Sequence, residues 1–116
     1  MSYGVALKVD GKFVQVERHV EGGVFAAGGT HQADLYVTFN YSPFFREHID
    51  SEQRLYWLHG KTGAACIARL ESAVAALGTE RDPDYWKATA GNAGYALSIL
   101  LKWAKEHPEA VFDVEM

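Results

Sequence analysis

The stretch that decides the fold runs Asp82-Pro83-Asp84-Tyr85-Trp86-Lys87-Ala88-Thr89-Ala90-Gly91-Asn92-Ala93-Gly94-Tyr95-Ala96-Leu97-Ser98-Ile99-Leu100-Leu101-Lys102-Trp103-Ala104-Lys105-Glu106-His107-Pro108. Thr89 stands where an N-cap belongs. From there Ala93, Ala96, Leu97, Leu100 and Ala104 recur at helical spacing on one side, while Tyr95, Ile99 and Trp103 form a second apolar row. Ser98, Lys102, Lys105 and Glu106 are left for water, and His107-Pro108 stops the helix, which the spacing places over about 90–106. A helix apolar over more than half its circumference needs covers on two sides. Upstream, Asp82-Pro83 is a cap followed by proline, which predicts a single helical turn over Asp84, Tyr85 and Trp86. Gly91 to Gly94 reads as a glycine turn before the helix. The residues from Tyr85 to Gly94 thus spend two glycines, an Asn and two large aromatics where a plain linker would serve.

Outward from this stretch, Val111, Phe112, Asp113 and Val114 alternate as a closing strand that should pair with the N-terminal hairpin region. On the other side Thr62 is a good N-cap, and Ile67, Leu70, Val74 and Leu77 mark a helix over about 62–77 that Gly78 ends. Residues 50–59 read as a connector. Ser42 as N-cap and Pro43 at the first position predict a short helix carrying Phe44, Phe45 and Ile49, preceded by a strand reaching Phe39 in which Leu35, Val37 and Phe39 oppose Asp34, Tyr36 and Thr38. At the N-terminus Val5, Leu7 and Val9, the pair Asp10-Gly11, and then Val14 and Val16 give a hairpin. Gly22-Gly23 and Gly28-Gly29 bracket a short element over Val24 to Ala27 and read as turn formers, since no helix or Lys follows to make a phosphate loop. Strands early, helices later and one returning strand make an α+β fold, a single domain whose antiparallel sheet of about four to five strands packs on two main helices.

At 116 residues, 48% apolar and 22% charged, the chain has the composition of one self-folding domain rather than a disordered segment. A net charge of −4 with scattered Lys and Arg argues against nucleic acid as a partner. The single Cys66 excludes an internal disulfide and a thiolate cage. No uncharged apolar run approaches the roughly 20 residues a membrane helix needs, and no basic start leads into an apolar run. The expectation is a soluble, cytoplasmic protein with no membrane partner.

The chemistry written in the residues is sparse. His19, His31, His48, His59 and His107 are dispersed, so no metal and no cofactor is implied, and no nucleophile sits in a recognisable elbow. What remains is recognition: Asn40 and Tyr41 after one strand, and Tyr85, Trp86, Asn92 and Tyr95 around the glycine turn, place aromatic anchors beside amides as binding surfaces do.

Two runs resemble a family of small uncharacterised proteins encoded by bacteriophages, prophages and some actinobacteria. Tyr36-Val37-Thr38-Phe39-Asn40-Tyr41-Ser42-Pro43 is similar to that family's strand end of Thr, one residue, then Asn, followed by an apolar helix. Pro83-Asp84-Tyr85-Trp86, Gly91-Asn92-Ala93-Gly94-Tyr95 and His107-Pro108-Glu109-Ala110 are similar to its Pro-aromatic turn, long helix and terminal strand, although relatives often carry Asn-Gly-Trp-Gly where this chain has Gly91-Asn92-Ala93-Gly94. The resemblance implies a phage or prophage origin and brings no biochemical function with it. The expected function is a non-enzymatic binding protein that engages a host or viral protein, or a small ligand. Two alternatives stand beside it. One is a small enzyme whose acid-base pair, for instance His48 with Glu80 or Asp84, assembles only in the fold, and the other is a homodimer closed through the over-apolar last helix.

Overall fold

The computed structural model describes residues 1–24 and 28–116. Strand β1 (Ser2–Val9) is the spine of a four-stranded antiparallel sheet. One edge of β1 carries β6 (Val111–Glu115), and the other carries β5 (Asp34–Thr38) and the short β2 (Lys12–Phe13). The Asp10-Gly11 hairpin forms as the residues require. Both central φ values are positive, 52° and 76°, and Lys8 pairs with Phe13 across the turn. The closing strand does return to the N-terminal strand, with Val5 opposite Val114 and Leu7 opposite Phe112.

The alternation that begins at Val14 does not continue that hairpin. Val14 donates to Leu7 O at 3.0 Å and accepts from Ala33 N at 3.1 Å, which turns the chain out of the main sheet. Strand β3 (Gln15–His19) then pairs with β4 (Thr30–Gln32) in a separate two-stranded ribbon. The element expected over Val24 to Ala27 lies, beyond Val24, outside the described residues.

Among the described residues three α-helices complete the domain: α1 (Ser42–His48), α2 (Gly63–Leu77) and α3 (Ala90–Glu106), the last two within a residue of their expected ranges. Thr62 and Thr89 cap α2 and α3 by accepting from Ala65 N and Asn92 N. Ser42 is no cap. Thr38 instead accepts from Asn40 N and starts a 3-10 turn over Phe39–Tyr41 that runs into α1, which frees the Ser42 hydroxyl to meet Tyr3 OH at 2.6 Å. The connector contains a second 3-10 turn, Arg54–Leu58, which buries Leu55 and Leu58.

The inward face of the sheet, Tyr3, Val5, Leu7, Leu35, Val37, Phe112 and Val114, lies in one buried cluster with Phe45 of α1, Cys66, Leu70 and Ala73 of α2, and Leu97 and Leu100 of α3. Helices α2 and α3 run antiparallel. The start of α2 is tied to the exit of α3 by Gly63 N donating to Ala110 O and Ala64 N to Pro108 O, and Lys105 reaches Glu71 at 3.2 Å. Of the second apolar row of α3, Trp103 is buried and meets His19 of β3 with ring centroids 5.1 Å apart, while Tyr95 and Ile99 are half-buried. No helix among the described residues is long and apolar enough to cross a membrane.

Cys66 is fully buried, and burial pushes its thiol up to about 11. The nucleophilic thiolate is then scarce at neutral pH and hidden as well. A disulfide reagent should leave the native protein unmodified over a period in which denaturant-unfolded protein reacts to completion. Followed by the absorbance of the released thiol, rapid native labelling would mean that the α2 side of the core opens locally.

Candidate functional site

The segment from Gly78 to Thr89 crosses the start of α3 without helix or strand pairing of its own. Asp82 Oδ1 accepts from Asp84 N at 2.9 Å, and Asp84 Oδ1 accepts from Trp86 N at 3.0 Å. These are two consecutive Asx turns, and Lys87 N donates to Asp84 O at 3.2 Å, so the expected single turn closes over Tyr85 and Trp86 but does not continue as a helix. An N-cap and an Asx turn both place a carboxylate oxygen on a nearby backbone N–H, and here the second acid repeats the turn instead of letting a helix propagate.

Side chains from elsewhere hold this loop. Asn92 Nδ2 donates to Asp84 O at 3.1 Å and to Lys87 O at 2.9 Å, while its Oδ1 accepts from Asp82 N at 2.9 Å. The Tyr41 hydroxyl donates to Tyr85 O, and Asn40 Nδ2 donates to Trp86 O at 2.8 Å. Four successive carbonyls, 84 to 87, thus accept from three side chains on the 3-10 turn and α3. Burial raises the Tyr41 phenol above its ordinary pKa. Burial first and the Glu21 carboxylate second raise those of Tyr85 and Tyr95. All three are protonated donors at neutral pH.

Gly91 and Gly94 are helical residues of α3, not a turn before it. A Cβ on Gly91 would lie 1.8 Å from Glu80 O, and one on Gly94 would lie 1.8 Å from Gly78 O. Their missing side chains are the seat in which the returning backbone rests. Packing and hydrogen bonding therefore account for both glycines and for Asn92, the part of the stretch for which sequence found no structural use.

Opposite the loop is the outer edge of β5. Tyr36 N donates to Gly22 O at 3.2 Å, and Tyr36 O accepts from the Tyr85 hydroxyl at 2.9 Å, so an edge that could recruit a foreign strand is closed at Tyr36. Gly22 has φ +59°, and a Cβ there would meet Tyr36 O at 2.6 Å, so only glycine permits this approach. Arg81 clasps the same corner, lying 4.3 Å over the Tyr95 ring with Nη2 3.4 Å from Glu21 Oε2, and the Tyr95 hydroxyl reaches Glu21 Oε1 at 3.3 Å.

All six sequence-predicted residues meet here, in unequal roles. Tyr41, Tyr85, Asn92 and Tyr95 border a space of only about 10 Å³, room for about one water, so on that side they are packed against one another, and of the four only Tyr85 also lines the surface groove beside Trp86. Asn92, 5% exposed, has both amide N–H groups and its oxygen engaged by the chain. Asn40 is exposed, and Trp86, 60% exposed, faces solvent. Beside Trp86 is a groove of about 150 Å³ between Tyr85, Tyr36, Thr38, Gly22 and Gly23, with no charged side chain among the described residues that line it.

Sequence reasoning missed Tyr36, 49% exposed, and the pair Gly22-Gly23. Tyr36 carried a usable signal, an aromatic on the solvent side of an alternating strand. The glycines carried none, because their contact with β5 is long-range. Among the described residues, neither His48 with Glu80 nor His48 with Asp84 forms an ion pair. The carboxylate near His48 is that of Glu47, at 3.8 Å, the cleft lined by Glu80 contains no histidine, and the Asp84 carboxylate is occupied by Trp86 N.

No family model, no curated protein and no solved structure matches this chain.

Proposed function

We propose that this protein is a non-enzymatic binding module that engages a partner protein through the aromatic groove formed by Tyr36, Tyr85 and Trp86. The observation that carries this reading is a large aromatic residue left mostly exposed on a rigid support. Trp86 forgoes a large part of the roughly 1.5–3 kcal/mol that fully burying a large apolar side chain contributes, while the carbonyls of residues 84 to 87 are pinned. Ordering a loop costs about 1–2 kcal/mol per residue. A loop ordered in this way around an indole aimed at water is preorganised for contact, and rigid aromatic anchors are the residues that dominate protein interfaces. The closed edge at Tyr36 excludes strand addition there, so the partner is engaged through side chains and the groove. The resemblance to phage and prophage proteins supports a bacterial host protein as that partner, met in the cytoplasm, where a lone buried thiol is at home.

Selection from a random peptide library on the immobilised protein, with Trp86→Ala counter-selected, tests the reading. Wild type is expected to enrich peptides that the variant binds at least tenfold more weakly, with unchanged thermal midpoint, and amide shift changes should map to residues 22–23, 36–38 and 85–86. Equal enrichment on both proteins, or shifts on another face, would overturn it.

A further inference from the structure

His59 stands where the 3-10 turn Arg54–Leu58 passes into the segment that covers the outer edge of β6. Gly60 N donates to Phe112 O and Phe112 N to Lys61 O, both at 2.9 Å, and Thr62 bridges Val111. The next outward donor of that edge, Val114 N–H, is met by a side chain: it donates to His59 Nδ1 at 3.0 Å. A ring nitrogen that accepts an N–H carries no proton, so the bond fixes the neutral imidazole with its hydrogen on Nε2. The same Nδ1 is 3.6 Å from Asp113 Oδ1, and Asp113 Oδ2 holds Lys8 Nζ at 2.8 Å. One nitrogen therefore lies between a donor it can satisfy only when neutral and an acceptor it can satisfy only when protonated.

We propose that His59 is a proton-operated latch on the edge of β6: neutral, it caps Val114 N–H, and protonated, its Nδ1–H turns to Asp113 Oδ1 and releases that N–H. The surroundings favour both states. Tyr56 stacks on the ring at 4.8 Å and 13°, which a small slide of the imidazole preserves. The charged groups that line the cleft with His59 are Lys8 of β1, Asp10 of the hairpin turn, Glu109 before β6 and Asp113 on it, three acids against one base. Lys8 is already committed to Asp113 through the other oxygen, leaving Oδ1 to receive the imidazolium. The released N–H opens the C-terminal end of β6 as an unpaired strand edge, whereas the Gly60 and Lys61 bonds, which involve no titrating group, stay closed.

Amide exchange and imidazole nitrogen shifts of the intact protein, followed between about pH 8 and pH 5 where histidines titrate, provide the test. At the alkaline end the ring should be the Nε2–H form and Val114 protected. On acidification Val114 protection, corrected for intrinsic exchange, should fall about tenfold with the midpoint of the His59 ring, while Phe112 stays unchanged. His59→Gln, which offers an acceptor that takes up no proton, should abolish the pH dependence, and Asp113→Asn should move the midpoint to lower pH. An Nδ1–H tautomer at alkaline pH, pH-independent protection of Val114, or loss of Phe112 protection in parallel would overturn the latch.

Discussion

Gly94→Ala is expected to destabilise the protein by about 3 kcal/mol, lowering the thermal midpoint by on the order of 10 °C. Intrinsic helix propensity gives the opposite sign, because alanine in a helix interior is favoured over glycine by about 1 kcal/mol and Gly94 has ordinary helical geometry within α3. The packing decides. The added methyl would sit 1.8 Å from Gly78 O and 3.0 Å from Leu77 Cβ, and neither is the free end of a side chain that could swing away. Gly78 is the C-cap of α2, with φ +75° and its N–H on Val74 O, so displacing its carbonyl means unwinding the end of α2 or lifting α3 off its neighbour. Gly91→Ala meets Glu80 O at the same 1.8 Å and should lose comparable stability, without the rigid helix cap behind it. Urea or thermal denaturation of both variants checks this. A midpoint at or above that of the parent for Gly94→Ala would show that the return segment yields easily and that the two glycines are not its seat.

The glycines also mark where reading the sequence stops being informative. The Asp10-Gly11 hairpin and the ends of α2 and α3 were legible because each rests on neighbours in sequence: a turn pair with positive φ, a threonine on the N–H three residues on, a glycine that stops a helix. The β3–β4 ribbon was not legible, because alternation passes through Val14 unbroken and the bonds that redirect the chain come from Leu7 and Ala33. Gly91 and Gly94 looked like a turn for the same reason. Nothing within four residues of them requires glycine, and the backbone that does is that of residues 78 and 80. For the candidate site, sequence named side chains that the fold does bring together, and it could not assign their parts. Tyr41, Asn92 and Tyr95 carry the composition of a binding surface yet serve as its supports, while Tyr36, read as one more outward residue of a strand, stands at the groove.

Asn92→Asp separates support from surface most sharply, and the expected result is a loss of about 2–3 kcal/mol at neutral pH. General rules again give the other sign, since Asn92 lies in the first turn of α3, where a carboxylate meets the positive end of the helix dipole and gains about 0.3–1 kcal/mol. The local network reverses it. The carboxylate keeps the bond from Asp82 N, but it loses both donors and sets a negative oxygen about 3 Å from Asp84 O and Lys87 O, where those donors stood. Asp82 and Asp84 add like charge to the same loop. Acidification should restore part of the loss, because the protonated carboxyl can donate one hydrogen again and sheds its charge. Asn92→Ala, which removes the bonds without adding charge, should cost less than the acid at neutral pH and show no such recovery. In both variants the loop is released around Trp86, so the indole N–H resonance should narrow toward the mobile limit and the enriched peptides should bind more weakly although Trp86 itself is unchanged. If Asn92→Asp proved as stable as the parent, or if the indole stayed ordered while stability fell, the loop would be held by its Asx turns, and the preorganisation on which the binding reading rests would have to come from Tyr41 and Asn40 alone.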